Sequence, residues 1–250
     1  TYNGERYLKE QLDSIINQSY TNWHLYISDD GSSDASRAII CQYISLYPDK
    51  ISDYSSEIPY RSAKVNFMNL LKKVNGNYFM FSDQDDVWRV NKIETMLKKI
   101  QQLDLKNPYQ PNLVFSDLTP VNEDLTIISD SLTKYQNLEI NDFSFKRLMI
   151  RNSVTGCAMM FNRKAKELCD KCEDLNGIKM HDYWIGLICA CFGSIEYIDS
   201  SLIYYRQHKD NVEGAKNVNS LSYYLSFAKN IQNIRNSIMD KKTETEAPAT

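Results

Sequence analysis

No clustered run of lysine and arginine occurs in the 250 residues, and the formal net charge is −3. Nucleic-acid binding needs such clusters to displace counterions from phosphates, so no nucleic-acid partner is expected. No apolar run approaches the roughly 20 residues that cross a bilayer, and no signal-peptide pattern is present. Cytoplasm is therefore the default expectation. Internal repeats and clear linkers are missing as well. Disorder is excluded, because 42% of the residues are apolar and 24% charged, enough for one substantial core or a core with a subdomain.

What the chain does have is acid at the ends of apolar runs. Tyr78 to Phe81 is short, aromatic and β-prone, follows the turn Asn75-Gly76-Asn77, and reads as a buried strand. Ser82-Asp83-Gln84-Asp85-Asp86-Val87-Trp88 follows it directly. In open α/β sheets ligands bind beyond the carboxyl ends of strands, and two carboxylates one residue apart suit a hard cation carrying phosphates. Three other readings compete. A calcium loop lacks its turn glycine, since Trp88 stands there, and Val87 replaces an oxygen ligand. A phosphatase of the haloacid-dehalogenase type would use Asp83 as nucleophile, but that motif belongs on a first strand and a βα unit precedes it here. A plain helix start explains one Asp and leaves two.

In chain order, Leu8, Leu12, Ile15 and Ile16 mark a helix, and Trp23 to Ile27 a strand. That strand ends in Ser28-Asp29-Asp30-Gly31-Ser32-Ser33-Asp34, and a second helix follows from Ala35 to Leu46, with the serines and Asp34 as caps. Two acidic strand ends in one sheet are expected to face one cleft. Val65, Met68 and Leu71 predict a third helix, Ile93 to Ile100 a fourth, and Leu113 to Phe115 a strand ending at Ser116-Asp117. Leu118 to Asn141 reads as a loop or insert. Beyond it come a short helix near Leu148, a buried strand Ser153 to Phe161 containing Gly156, a helix from Lys164 to Cys172, an apolar helix opened by His181-Asp182-Tyr183-Trp184, and two strands, Ser194 to Ile198 and Leu202 to Tyr205. Cys169, Cys172, Cys189, Cys191 and His181 have some look of a zinc site, but Cys189 and Cys191 lie in an apolar run where thiols act as small hydrophobes. Leu221 to Met239 is an amphipathic helix candidate, expected to pack on the domain or to touch a membrane surface or partner helix, and residues 241–250 form a polar tail expected to be disordered.

With these clusters in place the chain resembles the family-2 glycosyltransferases of the GT-A fold, and within them the bacterial rhamnosyltransferase-like branch. The resemblance rests on Thr1-Tyr2-Asn3-Gly4-Glu5, Asp29 to Asp34, Phe81 to Trp88, Ser153 to Cys157, His181 to Trp184 and Tyr204 to Val212, in family order. It implies an α/β fold with a doubly wound, mostly parallel nucleotide-binding half (1–117) and a mixed acceptor half (118–216), followed by the helix at 217–240. It further implies inverting transfer of a sugar from a nucleotide diphosphate, with dTDP-rhamnose the donor that the branch suggests, to a hydroxyl of a surface polysaccharide or lipid-linked saccharide. By the same resemblance Asp83 and Asp85, with His208, hold Mg²⁺ or Mn²⁺, and Asp182 is the base. Thr1, Tyr2, Asn3, Asp29, Asp30, Asp83 and Arg206 contact the nucleotide. The protein is expected in the cytoplasm, at the inner membrane face where a lipid-linked acceptor lies.

The family pattern places a hydrophobic strand ahead of Thr-Tyr-Asn-Gly, and this sequence starts at Thr1, so a first strand is expected to be missing. Each buried side chain of such a strand contributes about 1.5–3 kcal/mol, and several together rival a domain's whole stability. A longer polypeptide carrying that strand should therefore melt at a higher temperature than this one; equal melting midpoints would refute the expectation.

Overall fold

The computed structural model describes residues 1–172 and 174–209. The helix expected at Leu221 to Met239 and the tail at 241–250 lie outside the described residues.

The first half alternates helix and strand. It comprises α1 (Leu8–Ile16), β1 (Leu25–Ile27), α2 (Ser36–Leu46), β2 (Ile51–Asp53), α3 (Ala63–Lys73), β3 (Tyr78–Met80), the two-residue β4 (Val87–Trp88) and α4 (Lys92–Lys106). The second half holds β5 (Asn112–Val121), α5 (Leu132–Tyr135), α6 (Phe145–Ile150), a 3-10 turn at Gly156–Ala158, β6 (Met159–Asn162), α7 (Arg163–Cys169), α8 (His181–Phe192) and β7 (Ser194–Arg206). The expected helices appear close to their predicted positions because their apolar residues recur at helical spacing. Ser62 also caps α3 by accepting the Val65 N–H.

Two sheets result. β1 and β2 pair in parallel, and a five-stranded mixed sheet has the order β3-β6-β5-β7-β4. Within the larger sheet only β5 and β7 run parallel; the pairs β3–β6, β5–β6 and β4–β7 are antiparallel. The sheet is thus less parallel than the βαβ pattern of the first half implies: β6 runs antiparallel to both of its neighbours, β3 and β5, and β4 runs antiparallel to β7.

Alternation along the strands explains the layering. Leu113, Phe115, Phe79, Phe81, Met159 and Phe161 share one core with Met68 and Leu71 of α3 and Ile185 and Ile188 of α8. Val114, Met160, Leu202 and Ile203 join the opposite core with Ile93, Met96, Ile100 and Leu103 of α4. Helices therefore cover the five-stranded sheet on both faces. A third cluster packs Leu8 and Leu12 of α1 against Ile27, Ile40, Tyr43 and Ile51. Thr1 sits beside the end of β1, donating its N–H to the Ser28 carbonyl (2.9 Å) and accepting from the Asp30 N–H (2.8 Å). That is the bond pattern of a parallel bridge.

Three sequence expectations change. β5 does not stop at Asp117 but continues to Val121, with all ten residues buried. Its polar, proline-containing second half pairs with Tyr204, Tyr205 and Arg206 of β7, so tertiary pairing overrides the weak local pattern. The two strands expected after Gly193 are one, since Ile198 and Ser201 face the consecutive Ser116 and Asp117 and the residues between bulge out. The strand expected from Ser153 begins only at Met159, after the 3-10 turn.

Gly193 lies where α8 meets β7, and a Cβ there would overlap the Pro111 carbonyl oxygen. Gly193→Ala should cost about 1–3 kcal/mol in urea unfolding, the usual penalty of forced overpacking. Gly177→Ala, with open space around its added carbon, should stay within about 0.5 kcal/mol of the parent. Equal effects would refute the packing argument.

Candidate functional site

β3 ends at Met80, and the segment Ser82 to Asp86 then collects the acidic side chains before β4 begins. Burial, then the charges of Asp85 and Asp182, push the Asp83 carboxyl up to about 7. Asp86 has no exposed surface; burial first, then Asp85 and Asp83, raise its carboxyl well above the ordinary range, and its Oδ2 is buried without a hydrogen-bond partner. Asp85 Oδ2 lies 2.7 Å from His208 Nε2. The His208 ring in turn stacks on Tyr7, 5.1 Å between centroids.

Arg206 braces this loop. Its guanidinium is buried over the Tyr7 ring at 4.5 Å, donates from Nε to the Asp85 carbonyl (2.7 Å), and also bonds the Glu123 carbonyl and the Glu10 carboxylate. The Arg206 backbone N–H donates to Asp86 Oδ1 (3.2 Å). Its distance in sequence from Asp85 is 121 positions, so β7 reaches the acidic loop only through the fold.

The N-terminal residues form the facing wall. Tyr2 N–H donates to Gln84 Oε1 (2.6 Å) and Gln84 Nε2 returns a bond to the Tyr2 carbonyl (2.8 Å). Gly4 is needed at this contact, because a Cβ would come within 2.8 Å of the Gln84 amide carbon. Asn3, at φ 46°, accepts from the Ser33 N–H at 2.8 Å. Asp29 accepts from the Ser32 N–H (3.0 Å) and hydroxyl (2.5 Å), and Asp30 accepts from the N–H groups of Tyr60 (2.5 Å) and Ser62 (3.0 Å). Both carboxylates are buried and organise their loops. The Thr1 ammonium, lowered by burial, feels Asp29, Asp83 and Asp30, so the two acidic strand ends do meet around the first residue.

Asp182 lies in the first turn of α8, where a carboxylate is favoured by the helix dipole. Its Oδ2 accepts the Gly156 N–H at 3.1 Å. Gly156 is close-packed there, since an added Cβ would stand 3.2 Å from both Asp182 Cβ and His181 Nε2. The neighbouring His181 is buried, stacked on Phe67 at 4.3 Å and edge-on to Phe81 at 4.7 Å, with Nδ1 unpartnered. Burial pushes its ring down to about 3, so it is neutral.

Asp83, Asp86 and Cys157 can each offer a ligand atom within 4.8 Å of the others. The carboxylates fit Mg²⁺ or Mn²⁺, and the unpartnered oxygen of Asp86 together with the raised Asp83 marks a negative cluster short of positive charge. The Cys157 thiol is pushed well up by burial, stays protonated and suits a hard cation poorly. The expected set of Asp83, Asp85 and His208 is therefore arranged as an Asp85–His208 pair beside an Asp83–Asp86 pair. Cys189 fills the core, as expected of a small hydrophobe, and Cys169 joins it there, whereas Cys191, expected to do the same, is exposed at the end of α8. Cavities of about 430 and 390 Å³ lie at the other end of the sheet, around Tyr109 and Lys164, and hold none of these carboxylates.

Sequence reasoning passed over Lys92. It falls four residues before Met96 on the buried face of α4, and an inward helical position holding lysine was the available signal. Gln84 and Tyr7 carried no such signal.

The architecture is that of a GT-A domain, and the comparisons agree. The chain belongs to glycosyl transferase family 2, whose model matches residues 1–168. It is 29% identical over 224 residues to the dTDP-rhamnosyl transferase RfbG of Shigella flexneri, covering 86% of this chain and 73% of that protein. It is 28% identical to the glycosyltransferase GlyA of Streptococcus pneumoniae over 84% of this chain, but spans only 30% of GlyA. S. aureus TarS in complex with UDP-GlcNAc superposes with a TM-score of 0.60 at 16% identity, over 84% of this chain and 58% of that one. The mannosyltransferase PcManGT of Pyrobaculum calidifontis, in complex with GDP-Man and Mn²⁺, gives 0.60 at 15%, over 84% and 56%. Family membership sets aside the phosphatase reading of Asp83. No helix among the described residues is long and apolar enough to cross a membrane.

His181 supplies a pH signature. Its folded value is depressed, so its stabilisation is complete above the unfolded value near 6.5 and is lost as pH falls toward about 3. The stability difference between the parent and His181→Asn should be flat above about pH 6.5 and shrink by up to about 1.4 kcal/mol per pH unit below it. Parallel urea-unfolding profiles across that window would refute the assignment.

Proposed function

We propose that this chain is a metal-dependent, inverting glycosyltransferase that moves a sugar from a nucleotide diphosphate donor to a hydroxyl of a surface polysaccharide or lipid-linked saccharide on the cytoplasmic side. The observation that carries this reading is the gathering of Asp83, Asp85 and Asp182 in one electrostatic neighbourhood at the carboxyl end of β3. Similarity to a dTDP-rhamnosyl transferase favours dTDP-rhamnose as the donor. A mannosyltransferase of like fold in complex with GDP-Man and Mn²⁺ supports a divalent cation at the carboxylates.

Each residue has a task. Asp83 and Asp85, with Asp86 and His208 adjoining, would hold Mg²⁺ or Mn²⁺. Held there, such a cation would offset negative charge on the departing diphosphate. Thr1, Tyr2, Asn3, Asp29 and Asp30 wall the nucleoside side, the carboxylates of Asp29 and Asp30 keeping the loops in register for it. Asp182 takes the proton of the acceptor hydroxyl as its oxygen bonds the anomeric carbon from the face opposite the leaving nucleotide, which inverts that carbon. Arg206 holds the Asp85 carbonyl and the Asp86 carboxylate at the end of β7.

A ligand that binds only the native state raises its melting temperature. Among dTDP, UDP, GDP and CDP, each with and without Mn²⁺, dTDP with Mn²⁺ should give the largest shift, and Asp85→Ala should abolish it. Asp182→Asn should keep the shift while lowering kcat about 10²–10⁴-fold. Metal-independent shifts, or full turnover by Asp182→Asn, would overturn the reading.

A further inference from the structure

Lys92 is the one fully buried lysine among the described residues. Nothing in the donor or base assignments uses it. Its backbone is clamped at the start of α4: Gln18 Nε2 donates to the Arg89 carbonyl (2.8 Å), Gln18 Oε1 accepts the Ile93 N–H (3.0 Å), and the Lys92 N–H donates to the Arg89 carbonyl (3.0 Å). The side chain is thereby directed inward. Its Nζ donates to the Cys157 carbonyl at 2.6 Å and lies over the Trp88 ring, 3.3 Å from the centroid.

Those two contacts tie separate parts of the site. Trp88 closes the acidic loop that carries Asp83 and Asp85. Cys157 is the middle residue of the 3-10 turn Gly156–Ala158, and the Gly156 N–H holds Asp182 Oδ2. A carbonyl and a ring face do not neutralise an ammonium, and no carboxylate among the described residues is ion-paired with it. If packing were its only task, an apolar side chain of similar length would serve at lower desolvation cost. Burial lowers its ammonium to about 7 against the opposing pull of Asp86 and Asp83, and both protonation states donate to a carbonyl.

We propose that Lys92 is a positioning residue: it fixes the Gly156–Ala158 turn to the acidic loop, and through the Gly156 N–H it sets the direction of the Asp182 carboxylate. This rests on the assignment of Asp182 as base, and its first test is independent of turnover. In Lys92→Met, hydrogen exchange at the Gly156 amide should quicken about tenfold relative to amides of α2, which lies away from the turn. A merely structural loss would quicken all amides alike, and that outcome, or an unchanged Gly156, overturns the proposal.

The second arm reads the reaction with dTDP-rhamnose. Lys92→Met should lower kcat about 10- to 100-fold with the donor KM within about threefold, and Lys92→Met in the Asp182→Asn background should cause no further loss. Multiplying losses overturn it. Should Lys92→Met fail to fold, Lys92→Gln, whose shorter amide falls short of the Cys157 carbonyl, is read the same way. Because the exchange arm needs no donor, failure of the transferase reading and failure of the positioning role remain separable.

Discussion

The constraint on which the site depends is the crowding of carboxylates beyond β3. Asp83, Asp85 and Asp86 fall within four consecutive positions, and Asp182 adds a further charge from α8. Like charges in a poorly solvated place cannot all remain ionised without positive charge nearby. The raised Asp83 and Asp86 express that strain directly. In the proposed donor site a divalent cation on the diphosphate would supply the missing charge.

The surrounding scaffold holds the loop largely through its main chain. Arg206 directs two of its nitrogens at main-chain carbonyls, those of Asp85 and Glu123, and its charge goes to Glu10, outside the loop. Lys92 meets a carbonyl and an indole. Both buried cations therefore bond main-chain carbonyls, at Asp85 and Glu123 for Arg206 and at Cys157 for Lys92. Gln84 adds a neutral tether to Tyr2, which sets the distance between the acidic loop and the N-terminal wall.

The second half of the chain builds the floor. β5 and β7 pair in parallel along most of their length, and the bulge opposite Ser116 and Asp117 lets β7 finish at Arg206, directly against the acidic loop. Asp117 is buried in that bulge and accepts from the Leu118 and Thr133 N–H groups and the Ser131 hydroxyl, which closes the β5–α5 connection. A polar side chain thus organises a stretch with little apolar pattern of its own.

The sequence by itself determined the amphipathic helices, the strands at Leu25 and Tyr78, the acidic clusters that end them, and the family. Helical spacing and strand-end carboxylates are local signals, readable wherever packing follows periodicity. Only the tertiary structure decided the rest. β5 extends through polar residues because β7 pairs with it; two expected strands are one because a bulge absorbs Asp199 and Ser200. Arg206 became a brace for the loop because a residue 121 positions away offers its carbonyl. Lys92 and Gly156 acquire roles through single long-range contacts, to the Cys157 carbonyl and to Asp182, and no spacing rule encodes a contact between residues that meet only once the chain has folded.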